Sequence, residues 1–285
     1  MTAQHPSKAP IMTLALLALV VLLATSAWAG PEQDREALVR YYKTLFPSLS
    51  LQDYADGVYA IDPVARESWQ AIEEFPPYEL ALEAGETLFH TPFKNGASYA
   101  DCLPDKGIGI AARYPKWDET KGEVVTLAQV VNACRIRNGE PPLPYLKGEL
   151  ASLLAYLASI SRGRPIEIEI PTADPRALAA YQQGKDYFYQ RRGQLNFACA
   201  SCHIQNAGKR IRSEILSPSL GHTSHWPAYR LKWGEMGTLH RRFIGCHEQI
   251  RADAPAPQSP EFRNLEYFLS YMSNGIAING PSTRK

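Results

Sequence analysis

The sequence predicts a mainly α-helical protein built as two tandem copies of one module, and three observations carry that prediction. Four short blocks recur in the same order on either side of a proline-bounded segment. Within them apolar residues return at helical spacing, as in Leu265, Phe268, Leu269 and Met272. A C-x-x-C-H stretch stands in the second copy and is missing from the corresponding place in the first.

Taken in order, residues 1–29 read as a secretory signal peptide. Lys8 precedes an apolar run from Ile11 to Ala24, and Ala27-Trp28-Ala29 supplies a small-x-small processing site, so cleavage is expected after Ala29. The run is short for a membrane span. Export matters because disulfides persist on the oxidising side of a membrane. The first copy occupies residues 30–165. "RGRPIEIEIPTADP", Arg162 to Pro175, reads as an extended linker, and the second copy follows over residues 171–285.

The matching blocks are specific. "GETLF" (Gly85–Phe89) corresponds to "GKDYF" (Gly184–Phe188), and "NGASYADCLP" (Asn95–Pro104) to "GQLNFACASCH" (Gly193–His203). "LAQVVNACR" (Leu127–Arg135) corresponds to "LHRRFIGCH" (Leu239–His247), and "LLAYLASISRG" (Leu153–Gly163) to "LEYFLSYMSNG" (Leu265–Gly275). Four blocks in one order, with an insertion of about a dozen residues in the second copy, indicate duplication. Each copy should hold a helix around Gly-x-x-x-Phe, a loop bearing the cysteine region, a second helix carrying Cys134 or Cys246, and a closing helix stopped by Gly163 or Gly275.

C-x-x-C-H is the attachment pattern of a c-type haem: Cys199 and Cys202 for thioether bonds, His203 for the iron. Helix, attachment loop and closing aromatic helix match a cytochrome c domain. In the first copy Tyr99 stands where the first thiol would be and Leu103 where the histidine would be, so that copy is expected to carry no haem. Its remaining Cys102 and Cys134 occupy positions equivalent to Cys202 and Cys246, both beside the iron in a loaded copy. A Cys102–Cys134 disulfide is therefore expected, with two free buried thiols as the alternative.

Cys246 is then left without a covalent role, and Arg242 lies one helical turn before it on the same face. A guanidinium there can hold an oxyanion in a bidentate contact. Met236 offers the usual methionine ligand of an electron-transfer cytochrome, and His222, His225, His240 and His247 are further nitrogen donors for the second axial position. Cys246 in that position would stabilise ferric iron and lower its potential. The charge is also uneven: net −7 from Gly30 to Ile170 and +7 from Pro171 to Lys285. The basic half either attracts anions or is simply a solvated surface. No nucleic-acid motif is present.

Tandem cytochrome c domains, a C-terminal C-x-x-C-H and a later R-x-x-x-C, here Arg242 to Cys246, together resemble the SoxA family, the A subunits of the SoxAX cytochromes of periplasmic sulfur oxidation. "RRFIGCHEQIRA", Arg241 to Ala252, is the most specific part. Members of the family hold two haems or one, and the loss at Tyr99 and Leu103 fits the single-haem type. The resemblance implies one covalent haem c on Cys199 and Cys202, with His203 and Cys246 as axial iron ligands. It implies that Cys246, commonly carried as a persulfide, is the catalytic sulfur and that Arg242 binds the substrate. The implied reaction is an L-cysteine S-thiosulfotransferase, joining thiosulfate oxidatively to a cysteine of the carrier SoxYZ, with SoxX as heterodimer partner and cytochrome c as electron acceptor. The competing expectation is a non-catalytic electron-transfer cytochrome; a haem-based sensor is a third, without a visible output domain.

Overall fold

The computed structural model describes residues 30–285 together with Thr2, so the expected signal peptide lies outside the described residues. The chain begins with α1 (Pro31–Leu45), 3-10 turns over Gln52–Ala60 and α2 (Pro63–Glu73). The first copy follows: α3 (Glu79–His90), α4 (Tyr99–Cys102), the β1 (Lys116–Asp118) and β2 (Glu123–Val125) hairpin, α5 (Leu127–Arg137) and α6 (Glu149–Ser159). The second repeats it: α7 (Pro175–Tyr189), α8 (Cys199–His203), an inserted hairpin of β3 (Arg210–Ile211) and β4 (Glu214–Ile215), then β5 (Ala228–Arg230), β6 (Glu235–Gly237), α9 (Leu239–Gln249) and α10 (Pro260–Met272). A last strand, β7 (Ser282–Arg284), pairs parallel to β5 and completes a three-stranded β6-β5-β7 sheet. The fold is mainly helical, as the apolar periodicity predicts, and none of these helices is long and apolar enough to cross a membrane.

Local chemistry explains where the helices start. Proline occupies the first turn of α1, α2, α7 and α10, where its missing N–H costs nothing. Thr126 and Gln129 form a reciprocal cap on α5, and the Asp174 carboxylate accepts the Arg176 amide at the head of α7.

In each copy the first and last helices cross at a glycine. A Cβ on Gly85 would stand 2.0 Å from the Ser152 carbonyl oxygen, and one on Gly184 would stand 2.0 Å from that of Asn264. No other residue permits such an approach. The crossings seed two cores. One gathers Phe89, Tyr99, Val131, Leu150, Leu153 and Leu157. The other gathers Phe188, Phe262 and the whole expected stripe of Leu265, Phe268, Leu269 and Met272.

Two features depart from a simple pair of beads. The segment expected to be a linker is extended, but Ile166, Ile168 and Ile170 point into the second core while Glu167 and Glu169 stay in water. Its amides bond both sides, Ile166 to the Ile276 carbonyl and Glu167 to that of Ala112. The alternation of isoleucine and glutamate thus makes a packed strap rather than a tether. The N-terminal segment, which the sequence reading counts within the first copy, covers the second in space. Asp34 of α1 pairs with Lys185 at 2.6 Å and accepts the Tyr181 hydroxyl at 2.8 Å, and Tyr42 is fully buried against Leu220 and Ile276.

One stability prediction comes from this architecture. Gly184→Ala should lower the unfolding free energy of the holo-protein by about 3 kcal/mol, the upper range for overpacking, since the clash is with backbone that cannot rotate away. The measurement is chemical denaturation, with Gly245→Ala as control, where an added Cβ meets only the Arg242 Nη1 at 3.8 Å.

Candidate functional site

The site forms where α9 faces α8. In the first copy the same two elements, α5 and α4, are joined by the Cys102–Cys134 disulfide, with Cα atoms 5.8 Å apart, as the sequence leads one to expect. Tyr99 fills the adjoining space: it is 2% exposed, its ring lies 4.8 Å from Phe93, and its hydroxyl accepts Arg135 Nη1 at 2.8 Å. Leu103 is buried beside it. Cys202 and Cys246 occupy the equivalent positions of the second copy, where the charge of Cys246 reaches Cys202.

In the second copy none of Cys199, Cys202 and Cys246 is joined to another cysteine of the described residues. Burial pushes the Cys199 thiol up to about 12, and the neighbouring charge of Cys246 adds to the rise; Cys202 is raised for the same two reasons. His203 is oriented from behind. Its Nδ1 donates to the Ser217 carbonyl at 2.9 Å, which fixes the tautomer and leaves the Nε2 lone pair free. Burial lowers its pKa to about 4, so the ring is neutral and able to ligate. Tyr42 reaches across from α1: its hydroxyl bonds the His203 carbonyl, and also Ser219 Oγ and the Ser219 amide, each at 2.9 Å.

The other donors weighed from sequence are engaged elsewhere. Met236 is buried with Tyr78, Ala151 and Ala155 at the junction with the first copy. His222 stacks edge-on to His203 at 4.3 Å and bonds Ser217 Oγ through Nε2 at 3.0 Å, on the anchored side of that ring. His225 is buried beside Gly57 and Trp226. His240 lies 2.9 Å from Glu266 and accepts the Gln258 amide. His247 bonds the Phe243 carbonyl with one nitrogen and the Tyr187 hydroxyl with the other.

Arg242 is the charged group of the site. Its field lowers the His203 and His222 pKa values, secondary to burial, and its Nη1 is buried with no hydrogen-bond partner among the described residues. A buried orphan guanidinium nitrogen is costly unless an anion meets it. Arg241, its neighbour, also buries an unpartnered Nη1, but its Nη2 pairs with Glu235 at 3.0 Å. The sequence reading missed Arg230, at the end of β5. It shares the field of Arg242 and Cys246 and is held down to about 10, chiefly by burial. No motif marks it, because β5 reaches the site only through sheet pairing.

Two thiols spaced for thioethers, a tautomer-fixed histidine behind them and a helical crossing closed by one glycine define a c-type cytochrome. The profile of the SoxA/TsdA cytochrome c domain matches residues 84–166, the C-terminal part of the first copy. The chain is 55% identical to the L-cysteine S-thiosulfotransferase subunit SoxA of Allochromatium vinosum, over 96% of this chain and 98% of that one. It is 48% identical to the same subunit from Chlorobaculum tepidum, over 94% and 96%. The crystal structure of SoxXA from P. pantotrophus aligns with a TM-score of 0.69 at 30% identity, covering 77% of this chain and 84% of that one. The chain belongs to the SoxA family and is a subunit of an L-cysteine S-thiosulfotransferase.

Tyr42→Phe should cost about 2 kcal/mol of stability, because the His203 carbonyl and the Ser219 amide lose a buried partner. Thermal unfolding of the holo-protein checks this, and Tyr41→Phe, whose hydroxyl meets the Ile204 carbonyl at an exposed position, should cost far less.

Proposed function

We propose that the protein, exported to the periplasm after cleavage at Ala29, is the catalytic subunit of a SoxAX complex in thiosulfate oxidation. Cys199 and Cys202 would hold a single haem c covalently, His203 and Cys246 would ligate its iron, and the first copy would hold no haem. The observation that carries this reading is the unpartnered Arg242 Nη1 beside Cys246, one turn apart on the helix that faces the C-x-x-C-H segment. The solved structure of a relative is of the complex SoxXA, which supports SoxX as the partner of this chain too.

When bound, haem c supplies an electron acceptor next to the reacting sulfur. The residues do the rest. Arg242 holds the oxyanion end of thiosulfate, which leaves the sulfane sulfur towards Cys246 Sγ. An S–S bond forms between Cys246 and that sulfur with the loss of two electrons, which pass to c-type cytochrome. The carrier cysteine of SoxYZ, as thiolate, then attacks the sulfane sulfur; the Cys246–S bond breaks and Cys246 leaves as thiolate. The net result is one S–S bond, two electrons and the carrier thiol proton released. Cys246 carried as a persulfide extends the same chemistry by one sulfur.

Intact-mass analysis should find one haem, plus one sulfur atom removable by reductant; two haems would overturn the reading of the first copy. Cys246→Ser should abolish the low-spin ferric EPR signature of a sulfur-ligated haem and lower kcat/KM at least about a thousandfold, as loss of a nucleophile does. A methionine–iron charge-transfer band in the parent protein would overturn the ligand assignment.

A further inference from the structure

A sulfur that ligates iron and also reacts has to be held in one place, yet the helix that carries Cys246 is weak beside it. Gly245 precedes it inside α9, and a glycine within a helix costs backbone order. The buried face of α9 runs through Leu239, Phe243 and His247, while Cys246 is only partly covered. His247, the covalent neighbour of Cys246, is the last buried residue of the helix.

Both ring nitrogens of His247 are used. Nδ1 lies 2.8 Å from the Phe243 carbonyl and must donate to it, so Nε2 accepts, and the Tyr187 hydroxyl of α7 donates to it at 2.7 Å. Phe262 of α10, fully buried, backs both rings, its centre 5.5 Å from that of His247 and 6.5 Å from that of Tyr187. Tyr187 also carries Arg192, whose guanidinium stands 3.7 Å over its ring and bonds its carbonyl. The Arg192 backbone pairs in both directions with Phe197, two residues before Cys199. The same loop meets the end of α9 directly. The Gln194 and Leu195 amides donate to the Arg251 and Ile250 carbonyls, and a Cβ on Gly193 would stand 2.3 Å from the Ile250 oxygen. One tyrosine of α7 therefore ties the attachment loop through Arg192 and α9 through His247.

The first copy does without this arrangement. Leu88 stands at the position of Tyr187 and Arg135 at that of His247, with the Arg135 guanidinium bonded to the Tyr99 hydroxyl and the Pro141 carbonyl. There Cys134 is fixed by its disulfide. A sulfur that must stay free to react needs a non-covalent hold instead.

We infer that Tyr187 is a positioning residue for the reaction: through His247 it holds Cys246 in register with the Cys199–His203 segment, as the disulfide holds Cys134. The inference rests on the function proposed above.

The test uses the haem-loaded complex with its partner subunit. With Cys199 and Cys202 in thioethers and Cys102–Cys134 in a disulfide, Cys246 is the one cysteine of the five left for iodoacetamide, read by peptide mass. The ferric parent should label slowly. Tyr187→Phe keeps the ring but removes the hydroxyl; it should label at least about tenfold faster, the worth of one buried hydrogen bond, and shift the g values of the low-spin EPR signal. It should also lower kcat about ten- to a hundredfold, with the KM for thiosulfate changed less than about twofold. His247→Phe should behave in the same way, and His247→Gln, which can still accept the hydroxyl, should fall nearer the parent. Tyr181→Phe removes a hydroxyl of the same helix that bonds Asp34 of α1 instead, and labelling and spectrum should stay at parent values. Unchanged labelling and g values in Tyr187→Phe overturn the inference, as does an equal change in Tyr181→Phe. Fast labelling of the parent sinks the ligand assignment of the proposed function and the inference with it, whereas slow labelling of parent and Tyr187→Phe alike sinks the inference alone.

Discussion

The crossing of α7 and α10 at Gly184 is the constraint on which the rest of the second copy depends. With backbone against backbone, the two helices become one rigid post, and the chain between them must fold back on it from both ends. That return carries α8 from one side and α9 from the other, so Cys199, Cys202 and His203 face Cys246 although more than forty residues separate them in sequence. The first copy repeats the construction at Gly85 with a different filling. A close helix crossing is indifferent to what fills the loops it presents, which is how one module can serve both as a cofactor cradle and as a cross-linked support.

Comparison of the two fillings shows what each copy substitutes. Tyr99, Leu103 and a disulfide occupy the first; thiols, an anchored imidazole and arginines occupy the second. The buried tyrosine and the cross-link supply packing and loop closure that a covalent group would otherwise provide; by loop entropy the cross-link alone contributes about 3–4 kcal/mol. Around the second copy, stability comes from the chain termini. α1 grips α8 through Tyr42, and β7 extends the sheet that carries Arg230. Arg284 of that strand is itself buried, with its guanidinium 5.0 Å from the Tyr59 ring and 5.4 Å from that of Trp69, and the Thr283 amide bonds Glu73. The ends of the chain thus clamp the half in which the chemistry is concentrated.

Much of this was legible in the sequence, because covalent and helical requirements leave periodic marks. Cys199, Cys202 and His203 stand at a spacing that only one attachment chemistry uses, Arg242 and Cys246 share a helical face, and the matching blocks aligned Cys102 and Cys134 with partners near an iron. What escaped was set by tertiary context. α1 docks on the second copy through single side chains, Tyr42 and Asp34, that carry no pattern. The isoleucines of the strap were visible, but their burial depended on two cores lying side by side. Arg230 and Glu235 look like an ordinary hairpin ion pair, but Glu235 Oε1 meets Lys147 and Arg241 instead.

The net charge of +7 in the second half also changes meaning once the partners are known. Arg192 stacks on Tyr187 at 3.7 Å, Arg210 bonds the Ser213 carbonyl, Lys209 bonds Asn206, Arg241 holds Glu235 and Arg263 holds Glu123. These contribute a diffuse field that salt screens within about 10 Å. Arg242 pairs with no carboxylate among the described residues, and its Nη1 is buried, where screening is weaker. Attraction of an anion at long range and its binding at short range are therefore separate properties of the same excess charge. The first belongs to the surface as a whole; the second requires that a particular guanidinium, that of Arg242, be kept from every carboxylate the chain could have offered it.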